Sequence, residues 1–527
     1  MSTPGSAASG AKRRLQQFVP MTIPSDALDR IRAAYSPELV GALAHRLADL
    51  LREHFETLER REGPVLNWSA PRECTAAAAG WLDGERLPVV PPLETDRFVE
   101  CFAERVRAVL EHGNNLHHPR YLGHQVPASV PIAALFDAVG SATNQVMAIY
   151  EMGPWATAME RALIEQVGQI MGLPPGEFSG LITHGGSLAN LTALLTARNV
   201  SLSGAWESGV PAGDPRPVLV VHSDAHYGVT RSAGILGIGT EQVHRAPLDD
   251  RRRMDPASLD ELLSRLQREG RRVVAVCGCA CATPIGAFDR LPAIAEVCRR
   301  HGVWLHVDAA HGGAAAFSDQ HKHLVEGLEQ ADSFVFDAHK MLFMPALCAF
   351  VFYRNRDHRF EAFRQEAPYL FDPSAPGMAE YDSGTMTVEC TKRAAALGLW
   401  GVWSMFGPQL FADMVDHTFA LARSLYERLA GAEDFVPLHK PQCNIVTFRY
   451  KPAEMAGADA AALGEFNRRI RRRLIESGEF YIVQTNLNGA GALRTTIINP
   501  LTTEAELDDL LHAIRRTGQR VIEPESE

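Results

Sequence analysis

Four polar features of this sequence each follow a short apolar run and carry groups that could do chemistry. They are a glycine-serine segment that opens a helical pattern, a histidine, an aspartate and a lysine. Glycines at a helix start leave backbone N–H groups free to approach an anion, and the helix dipole favours negative charge there. Each feature by itself has an ordinary structural interpretation, such as a cap, a turn or a surface lysine. The residues are Gly185, Gly186 and Ser187, then His226, Asp308 and Lys340.

The four features together meet the chemical needs of pyridoxal phosphate. Lys340 would hold the aldehyde as a Schiff base, acting as a desolvated amine whose pKa is lowered by burial. Asp308 would keep the pyridine nitrogen protonated, so that the ring accepts electrons from the substrate Cα. The glycine-serine segment would bind the phosphate, and His226 would lie over the ring face. The combination predicts a cofactor site.

The middle of the chain must supply the elements that bring these residues together. Short apolar runs alternate there with helical patterns near 258–269 and 291–301. The runs are apolar along their whole length, which is typical of strands in a parallel sheet covered on both faces. Doubly wound sheets bind ligands at the carboxyl ends of their strands, which is where the four features lie. The predicted strands are 218–221, 273–277, 303–307 and 334–336.

The remaining segments predict a chain of several parts. Residues 1–14 are small, polar and basic, which indicates a disordered tail. Apolar residues recur at helical spacing from 25 to about 61, and strand-like runs at 444–450 and 493–498 follow further helical patterns. We predict a tail at 1–14, an N-terminal helical segment at 15–115, a large cofactor-binding domain at 116–400 and a small α+β domain at 401–527.

Composition and charge exclude several classes of protein. The 527 residues include 52 Lys and Arg against 63 Asp and Glu, so the formal net charge is −11 and general binding to nucleic acid is not expected. No apolar run approaches the roughly 18 residues that span a bilayer, so no membrane association is expected either. The basic N-terminus lacks the apolar stretch of a secretory signal. We therefore expect a cytoplasmic protein.

Nine cysteines are too few for a disulfide scaffold, and three of them form a cluster. Cys277, Cys279 and Cys281 are spaced by two, which on a strand puts all three thiols on one face. No His or Cys follows at the spacing of a zinc site. We therefore expect packed thiols on a buried strand and no metal.

Four ordered motifs resemble those of the group II pyridoxal-phosphate amino-acid decarboxylases, which include the glutamate, aromatic amino acid, tyrosine and 2,4-diaminobutyrate decarboxylases. The motifs are Thr183-His-Gly-Gly-Ser-Leu-Ala-Asn190, Ser223-Asp-Ala-His226, His306-Val-Asp-Ala-Ala-His-Gly-Gly313 and Asp337-Ala-His-Lys340. Their order and spacing match from about residue 118 to 405, and more loosely to 511. The resemblance implies an α/β protein of pyridoxal-phosphate fold type I, the aspartate aminotransferase type, with a mostly parallel seven-stranded sheet. It also implies a homodimer whose active sites lie at the subunit boundary.

The same resemblance assigns roles to further residues. His339 matches a histidine that helps to hold the cofactor, and Ala310 matches a small residue under the ring. Tyr369 resembles the tyrosine of a mobile catalytic loop, which reaches a neighbouring subunit's site and is implicated in protonating the carbanion. His124 and Gln125 lie near a segment that resembles the lining of the substrate entrance. The resemblance thus adds a proton donor and substrate contacts to the cofactor residues.

Three positions depart from the family pattern. Cys279 stands where relatives usually carry a hydroxyl that faces the cofactor or substrate, so it is a candidate substrate contact. Asp337 stands where many relatives have asparagine, and His311 where relatives often have an aromatic residue. These changes leave the cofactor residues in place but leave the substrate open. No motif separates acidic, basic, aromatic and aliphatic amino acids.

The resemblance implies decarboxylation of an L-amino acid at Cα, which yields an amine and carbon dioxide. An aminotransferase or another lyase of the same fold type is the alternative, and an aminotransferase would need a cation on the substrate carboxylate, for which Arg494 is a candidate. A decarboxylase must instead leave the departing carboxylate poorly stabilised. A catalytically inactive scaffold is a third interpretation, and the presence of both Asp308 and Lys340 argues against it.

Overall fold

The structure is a computed structural model that describes residues 25–83, 87–89, 93–363 and 380–523. The described chain divides into two units, one of residues 25–59 and 69–112 and the other of residues 60–68 and 113–523. The predicted tail at 1–14 and the predicted loop residue Tyr369 lie outside the described residues. The domain boundaries near 115 and 400 stay predictions.

Helices and strands alternate along most of the described chain. Its sixteen α-helices are α1 Ser25–Ala34, α2 Pro37–Glu59, α3 Pro71–Asp83, α4 Thr95–His112, α5 Pro131–Ala142, α6 Pro154–Ile170, α7 Gly186–Ser201, α8 Ala205–Ser208, α9 Tyr227–Ile235, α10 Pro256–Arg268, α11 Leu291–His301, α12 Ala338–Met341, α13 Leu397–Phe406, α14 Gln409–Gly431, α15 Ala460–Glu476 and α16 Glu504–Ile522. Its fourteen strands are β1 Val146–Met147, β2 Ser179–Thr183, β3 Val218–His222, β4 Val243–Ala246, β5 Val273–Ala282, β6 Ala287–Phe288, β7 Trp304–Asp308, β8 Ser333–Asp337, β9 Ala349–Tyr353, β10 Lys392–Arg393, β11 Phe435–Pro437, β12 Ile445–Tyr450, β13 Val483–Leu487 and β14 Ala490–Thr496. Each of the four predicted central strands overlaps one of these, and the predicted helix at 291–301 coincides with α11.

Seven strands form a mostly parallel central sheet in the order β2-β9-β8-β7-β5-β3-β4. Strands β8, β7, β5, β3 and β4 pair in parallel, whereas β9 is antiparallel to both of its neighbours. The short strand β6 adds an antiparallel pairing to β5. The predicted α/β fold with a mostly parallel seven-stranded sheet is confirmed.

The strands of this sheet bury both faces, as their continuous apolar sequences predict. Along β3, Val218 and Val220 pack into one apolar cluster, and Leu219 and Val221 pack into another. The first cluster includes residues of α10 and α11, and the second includes residues of α7 and α9. Helical layers therefore cover the sheet on both sides, which explains why polar residues do not alternate along its strands.

The carboxyl ends of four strands that run in the same direction meet at one edge of the central sheet. Strand β2 leads into α7, β3 leads into α9, β8 leads into α12, and β7 ends at Asp308. Because the strands that end there are neighbours or near neighbours, residues far apart in sequence come together at this edge.

A second, antiparallel sheet lies near the C-terminus of the described chain. Its strand order is β11-β12-β14-β13. Helices α14, α15 and α16 share an apolar core with it, which includes Leu425, Phe448, Leu493 and Leu510. The predicted smaller α+β arrangement is confirmed, and β12 and β14 overlap the two strand-like runs seen in the sequence.

Strand β5 is longer and less regular than its apolar run predicts. The strand is irregular around Cys281, where its pairing register with β6 shifts and the residue has a φ of +81°. Cys277 packs into the cluster that contains α7, whereas Cys281 packs into the opposite cluster, 3.7 Å from Sγ of Cys443. The prediction that all three thiols share one face is therefore wrong for Cys281, because a bulge breaks the alternation of side chains.

The unit of residues 25–59 and 69–112 is helical. The helical pattern predicted from 25 to 61 corresponds to two helices, α1 and α2, which are separated just before Pro37. A residue that precedes proline is disfavoured in a helix, which accounts for the break. Helix α2 packs against α4 and buries Leu39, Leu50 and Leu58. Across the described ranges, no helix combines the length and apolar character that crossing a membrane requires.

Candidate active site

A cavity of about 440 Å³ lies at the carboxyl edge of the central sheet. Its volume is within the roughly 300–1,000 Å³ of small-molecule sites. All the predicted site residues that belong to the described chain line it: Gly185, Gly186, Ser187, His226, Asp308, Ala310, His339, Lys340, His124, Gln125 and Cys279. Tyr369 lies outside the described residues, so its role stays a prediction.

The glycine-serine segment forms the turn between β2 and α7. Gly185 has a φ of +107°, a backbone conformation that favours glycine. Helix α7 begins at Gly186, and the N–H groups of Leu188 and Ala189 donate to the carbonyl oxygen of Gly185, so those of Gly186 and Ser187 are the ones suited to an anion. A Cβ on Gly186 would lie 2.6 Å from Oδ2 of Asp337. The turn therefore requires glycine at both positions.

Replacing Gly186 by alanine is expected to lower both stability and cofactor affinity. The added Cβ would lie 2.6 Å and 3.0 Å from the two carboxylate oxygens of Asp337 and would force that buried side chain to move. Overpacking of this kind costs about 1–3 kcal/mol of unfolding free energy. Thermal unfolding and titration with pyridoxal phosphate would measure the two effects. Gly431→Ala is the control, since no atom lies within 4 Å of a Cβ there, and equal behaviour of the two variants would contradict the prediction.

Lys340 lies in α12, just after β8, with its amine beside a buried carboxylate. Its Nζ is 3.2 Å from Oδ2 of Asp337, whose side chain is 1 % exposed. Burial lowers the pKa of Lys340, but the charges of Asp337 and Asp308 raise that pKa, and the net direction is upward. The prediction of a lowered pKa is therefore wrong, because two nearby acids outweigh burial and favour the ammonium form.

Asp308 is the last residue of β7 and lies opposite Cys279 of the neighbouring strand β5. Its Oδ1 accepts a hydrogen bond from the backbone N–H of Ala310 at 3.1 Å. Its Oδ2 accepts from Nδ2 of Asn190 at 3.5 Å. The carboxylate thus has donors from the protein on both oxygens and lines the same cavity as Lys340.

His226 is the N-cap residue of α9 and lines the cavity. Its Nδ1 accepts a hydrogen bond from the backbone N–H of Gly228 at 3.1 Å, which leaves the ring proton on Nε2. Burial lowers the pKa of His226; the charge of Asp308 raises it, and that of Lys340 lowers it further. The ring is therefore neutral at neutral pH.

Two further histidines of the cavity are held by the surrounding protein. Nδ1 of His339 is hydrogen-bonded to the carbonyl oxygen of Cys348 at 2.9 Å. Nε2 of His311 is hydrogen-bonded to Oδ1 of Asn444 at 2.8 Å, and burial lowers the pKa of His311 to about 3. His311 is thus neutral at neutral pH and donates to the Asn444 oxygen, which acts only as an acceptor.

Burial is the main influence on the pKa of two residues predicted to contact substrate, His124 and Cys279. Burial lowers the pKa of His124, and the cations Arg494 and Arg471 lower it further. Burial raises the pKa of Cys279 well above its ordinary value. The Cys279 thiol is therefore protonated at neutral pH and acts as a small apolar surface, not as a nucleophile.

Sequence reasoning missed Asn190 and His306 as parts of this site and treated Asp337 only as a departure from the family pattern. Asn190 contacts both Asp308 and His306, at 3.5 Å and 2.9 Å. A signal for this contact was present in the sequence, because Trp304, His306 and Asp308 alternate along β7 and therefore share one face. The partner residue on α7 could not be read from that alternation.

The donor set of the cavity fits pyridoxal phosphate. The first turn of α7 offers backbone N–H groups to a phosphate, and Gly186 has no room for a side chain. Lys340 offers an amine to the aldehyde, and Asp308 offers a carboxylate to the ring nitrogen. These groups line one cavity, so a single cofactor could contact all of them.

The chain matches known proteins over most of its length. The family model described as the pyridoxal-dependent decarboxylase conserved domain matches residues 90–451. The cysteine sulfinic acid decarboxylase of Rattus norvegicus is 30 % identical over 449 residues, which cover 83 % of this chain and 90 % of that protein. The L-2,4-diaminobutyrate decarboxylase of Acinetobacter baumannii is 27 % identical over 479 residues, which cover 86 % of this chain and 93 % of that protein. A crystal structure of mouse CSAD has a TM-score of 0.81 at 27 % identity and covers 92 % of this chain and 99 % of that chain.

The fold and the donor set of the cavity define an enzyme that works with pyridoxal phosphate. The chain belongs to the pyridoxal-dependent decarboxylases, since the family model matches well over half of it. It is accordingly a carboxy-lyase that releases carbon dioxide from an amino acid. The predicted decarboxylation and the predicted cofactor are confirmed, and the aminotransferase alternative is not supported.

Proposed function

We propose that this decarboxylase acts on a small L-amino acid whose side chain carries an acid group. The observation that carries the proposal is Arg494, a buried cation close to the cavity. Its guanidinium makes no ion pair with a carboxylate within the described ranges, and two of its nitrogens have no hydrogen-bond partner there. A cation in this condition is suited to an anionic ligand.

The surroundings of Arg494 relate it to the cavity. Arg494 lies on β14 and is 5 % exposed. Burial lowers its pKa, while Cys281 and Cys443 raise it, and Cys281 lines the cavity. His124 and His311 also line the cavity. Burial is the main cause that lowers the pKa of each, and the positive charge of Arg494 lowers both further. Three cavity residues thus lie within the electrostatic reach of this guanidinium.

An acidic amino acid offers two anionic groups to such a cation. The α-carboxylate must leave as carbon dioxide, and a cation that binds it equally well before and during reaction does not accelerate the chemistry. The cation is therefore better used on the acid group of the side chain. Similarity to the cysteine sulfinic acid decarboxylase of Rattus norvegicus supports an acidic substrate, and similarity to the L-2,4-diaminobutyrate decarboxylase of Acinetobacter baumannii supplies the basic contrast.

The roles of the site residues follow from their places around the cavity. Bound there, pyridoxal phosphate supplies an aldehyde for the substrate amine and a ring that accepts electrons. Lys340 would hold the aldehyde until the substrate amine replaces it, and the amine of Lys340 would then lie beside Asp337, whose Oδ2 is 3.2 Å from Nζ. Asp308 would face the ring nitrogen and His226 the ring plane. Tyr369 would return a proton to Cα, as the resemblance implies.

Substituting Arg494 with glutamine is expected to lower kcat/KM for acidic amino acids about ten- to a hundredfold, the value of a lost hydrogen bond to a charged group. Aspartate, cysteine sulfinate and glutamate would be compared with diaminobutyrate and an aromatic amino acid by release of carbon dioxide. The loss should appear mainly in KM and only for the acidic set. Arg494→Lys should retain part of the activity, because it keeps the charge.

Arg449→Gln is the matched control for this experiment. Arg449 lies on the neighbouring strand β12, and its guanidinium donates to the carbonyl oxygens of Gly491 and Ala490. The control should leave substrate preference unchanged. Preferred use of diaminobutyrate, with no response to the loss of Arg494, would overturn the proposed substrate class.

Two further features of the enzyme are part of the proposal. The resemblance implies a homodimer with shared active sites, and sedimentation of the purified chain would measure its mass in solution. A cytoplasmic location is supported by nine free cysteines, most of them buried, since such thiols persist in a reducing compartment. Fractionation of cells that express the chain would test the location.

A further inference from the structure

A row of buried polar side chains runs from Trp304 to Asp308 by way of α7. Nε1 of Trp304 donates to Oγ of Ser333 at 2.9 Å, and Oγ of Ser333 lies 2.9 Å from Nδ1 of His306. Nε2 of His306 lies 2.9 Å from Oδ1 of Asn190. Nδ2 of Asn190 then donates to Oδ2 of Asp308 at 3.5 Å. Each member of the row thus has a polar partner on the side that leads to Asp308.

The direction of these hydrogen bonds is determined at both ends. Nδ2 of Asn190 also lies 2.9 Å from the carbonyl oxygen of Gly186, which can only accept, so the amide orientation is settled. Oδ1 of Asn190 must then accept from Nε2–H of His306, and Nδ1 of His306 must accept from the hydroxyl of Ser333. At the far end the indole N–H of Trp304 can only donate. Each hydrogen bond within the row therefore points towards Asp308, while the second N–H of Asn190 donates to Gly186.

We propose that this directed row, Trp304–Ser333–His306–Asn190, orients Asp308 and stabilises its negative charge, which makes Asn190 and His306 positioning residues for the cofactor's ring nitrogen. The inference rests on the proposed role of Asp308. It goes beyond that role because it assigns the orientation of the carboxylate to residues other than those proposed to hold the cofactor. Hydrogen bonds that polarise one another in a low-dielectric interior strengthen the last donor of such a row.

Burial and charge around His306 agree with a neutral ring in this row. His306 is completely buried, and burial lowers its pKa to about 4, while Asp308 and the hydrogen bond at Ser333 act in the opposite direction. At neutral pH the ring therefore has one proton, which the Asn190 contact requires on Nε2. A protonated ring would have to donate at Nδ1 as well, and Ser333 would lose its acceptor.

Asn190→Leu tests the row, because it keeps the approximate size of the side chain and removes the donor to Asp308 without adding a charge beside it. The full-length chain would be titrated with pyridoxal phosphate and with an analogue that has C–H in place of the ring nitrogen. We expect affinity for pyridoxal phosphate to fall about tenfold, the effect of losing a hydrogen bond to a charged group, and affinity for the analogue to stay unchanged. His306→Phe should give a smaller loss of the same selectivity, and His306→Gln, which keeps a donor and an acceptor, should restore most of it.

Asn199→Leu is the matched control on the same helix. Asn199 is buried and donates to the carbonyl oxygens of Glu361 and Ala362, so its substitution should not discriminate between the two cofactors. Equal losses for both cofactors in Asn190→Leu and in His306→Phe would overturn the inference. Asp308→Asn separates this failure from failure of the proposed function: if Asp308→Asn also fails to discriminate, the assignment of Asp308 itself is wrong.

Discussion

Replacing Lys340 by alanine is expected to remove the visible absorbance of covalently held cofactor and to abolish decarboxylation, because no amine is left to form the covalent link to the aldehyde. Lys340 is the one lysine among the described residues that line the cavity. No neighbouring side chain there can replace its amine. Absorbance after addition of pyridoxal phosphate and release of carbon dioxide would measure the two effects. Wild-type absorbance in the variant would contradict the assignment.

Two other lysine variants serve as comparisons for Lys340→Ala. One keeps the positive charge at position 340 without the amine, and the other removes an exposed lysine elsewhere. Lys340→Ala leaves the carboxylate of Asp337 buried without its ammonium partner, at a cost below the roughly 3–5 kcal/mol of a fully buried pair, because the lysine side chain is 23 % exposed. Lys340→Arg should keep the cation and most of the stability while losing the chemistry. Lys322→Ala should leave both properties unchanged, since Lys322 is exposed and its ion-pair partner Asp319 is exposed as well.

The central strands could be predicted because strands buried on both faces have continuous apolar sequences. Apolar runs with polar residues at their ends gave three strands, β3, β7 and β8, within one residue of their observed bounds. The length of strand β5 was underestimated. Gly278, Cys279 and Ala280 are weakly apolar residues, although they are as buried as the valines before them. The bulge at Cys281 depends on pairing with β6 and on packing beside Cys443, neither of which a local pattern contains.

The site could be predicted in part because strand ends converge in a known way. Residues that follow β2, β3, β7 and β8 were expected at one sheet edge, and they line one cavity. The direction of the Lys340 pKa was missed, because it depends on the net effect of burial and two carboxylates at their actual distances. Arg494 could be named from its motif, but its nearness to the cavity follows from the packing of the C-terminal sheet.

Substituting Asp308 with asparagine is expected to lower kcat about a hundred- to a thousandfold, the usual effect of losing one preorganised electrostatic partner. Asparagine has nearly the same shape, and its oxygen can still accept from the backbone N–H of Ala310, 3.1 Å away in the parent protein. The chain should therefore fold and still hold cofactor through Lys340 and the turn at Gly186. What is lost is the negative charge that stabilises a cationic ring nitrogen.

Release of carbon dioxide under saturating substrate would measure the loss, with cofactor content determined in the same samples. Asp332→Asn is the control, because Asp332 precedes β8 at the opposite end of the sheet and accepts from the N–H of Leu305 at 2.9 Å, which asparagine can also do. Wild-type kcat in Asp308→Asn together with a large loss in Asp337→Asn would move the assignment to Asp337. Both carboxylates line the cavity, so this comparison decides which of them the ring nitrogen requires.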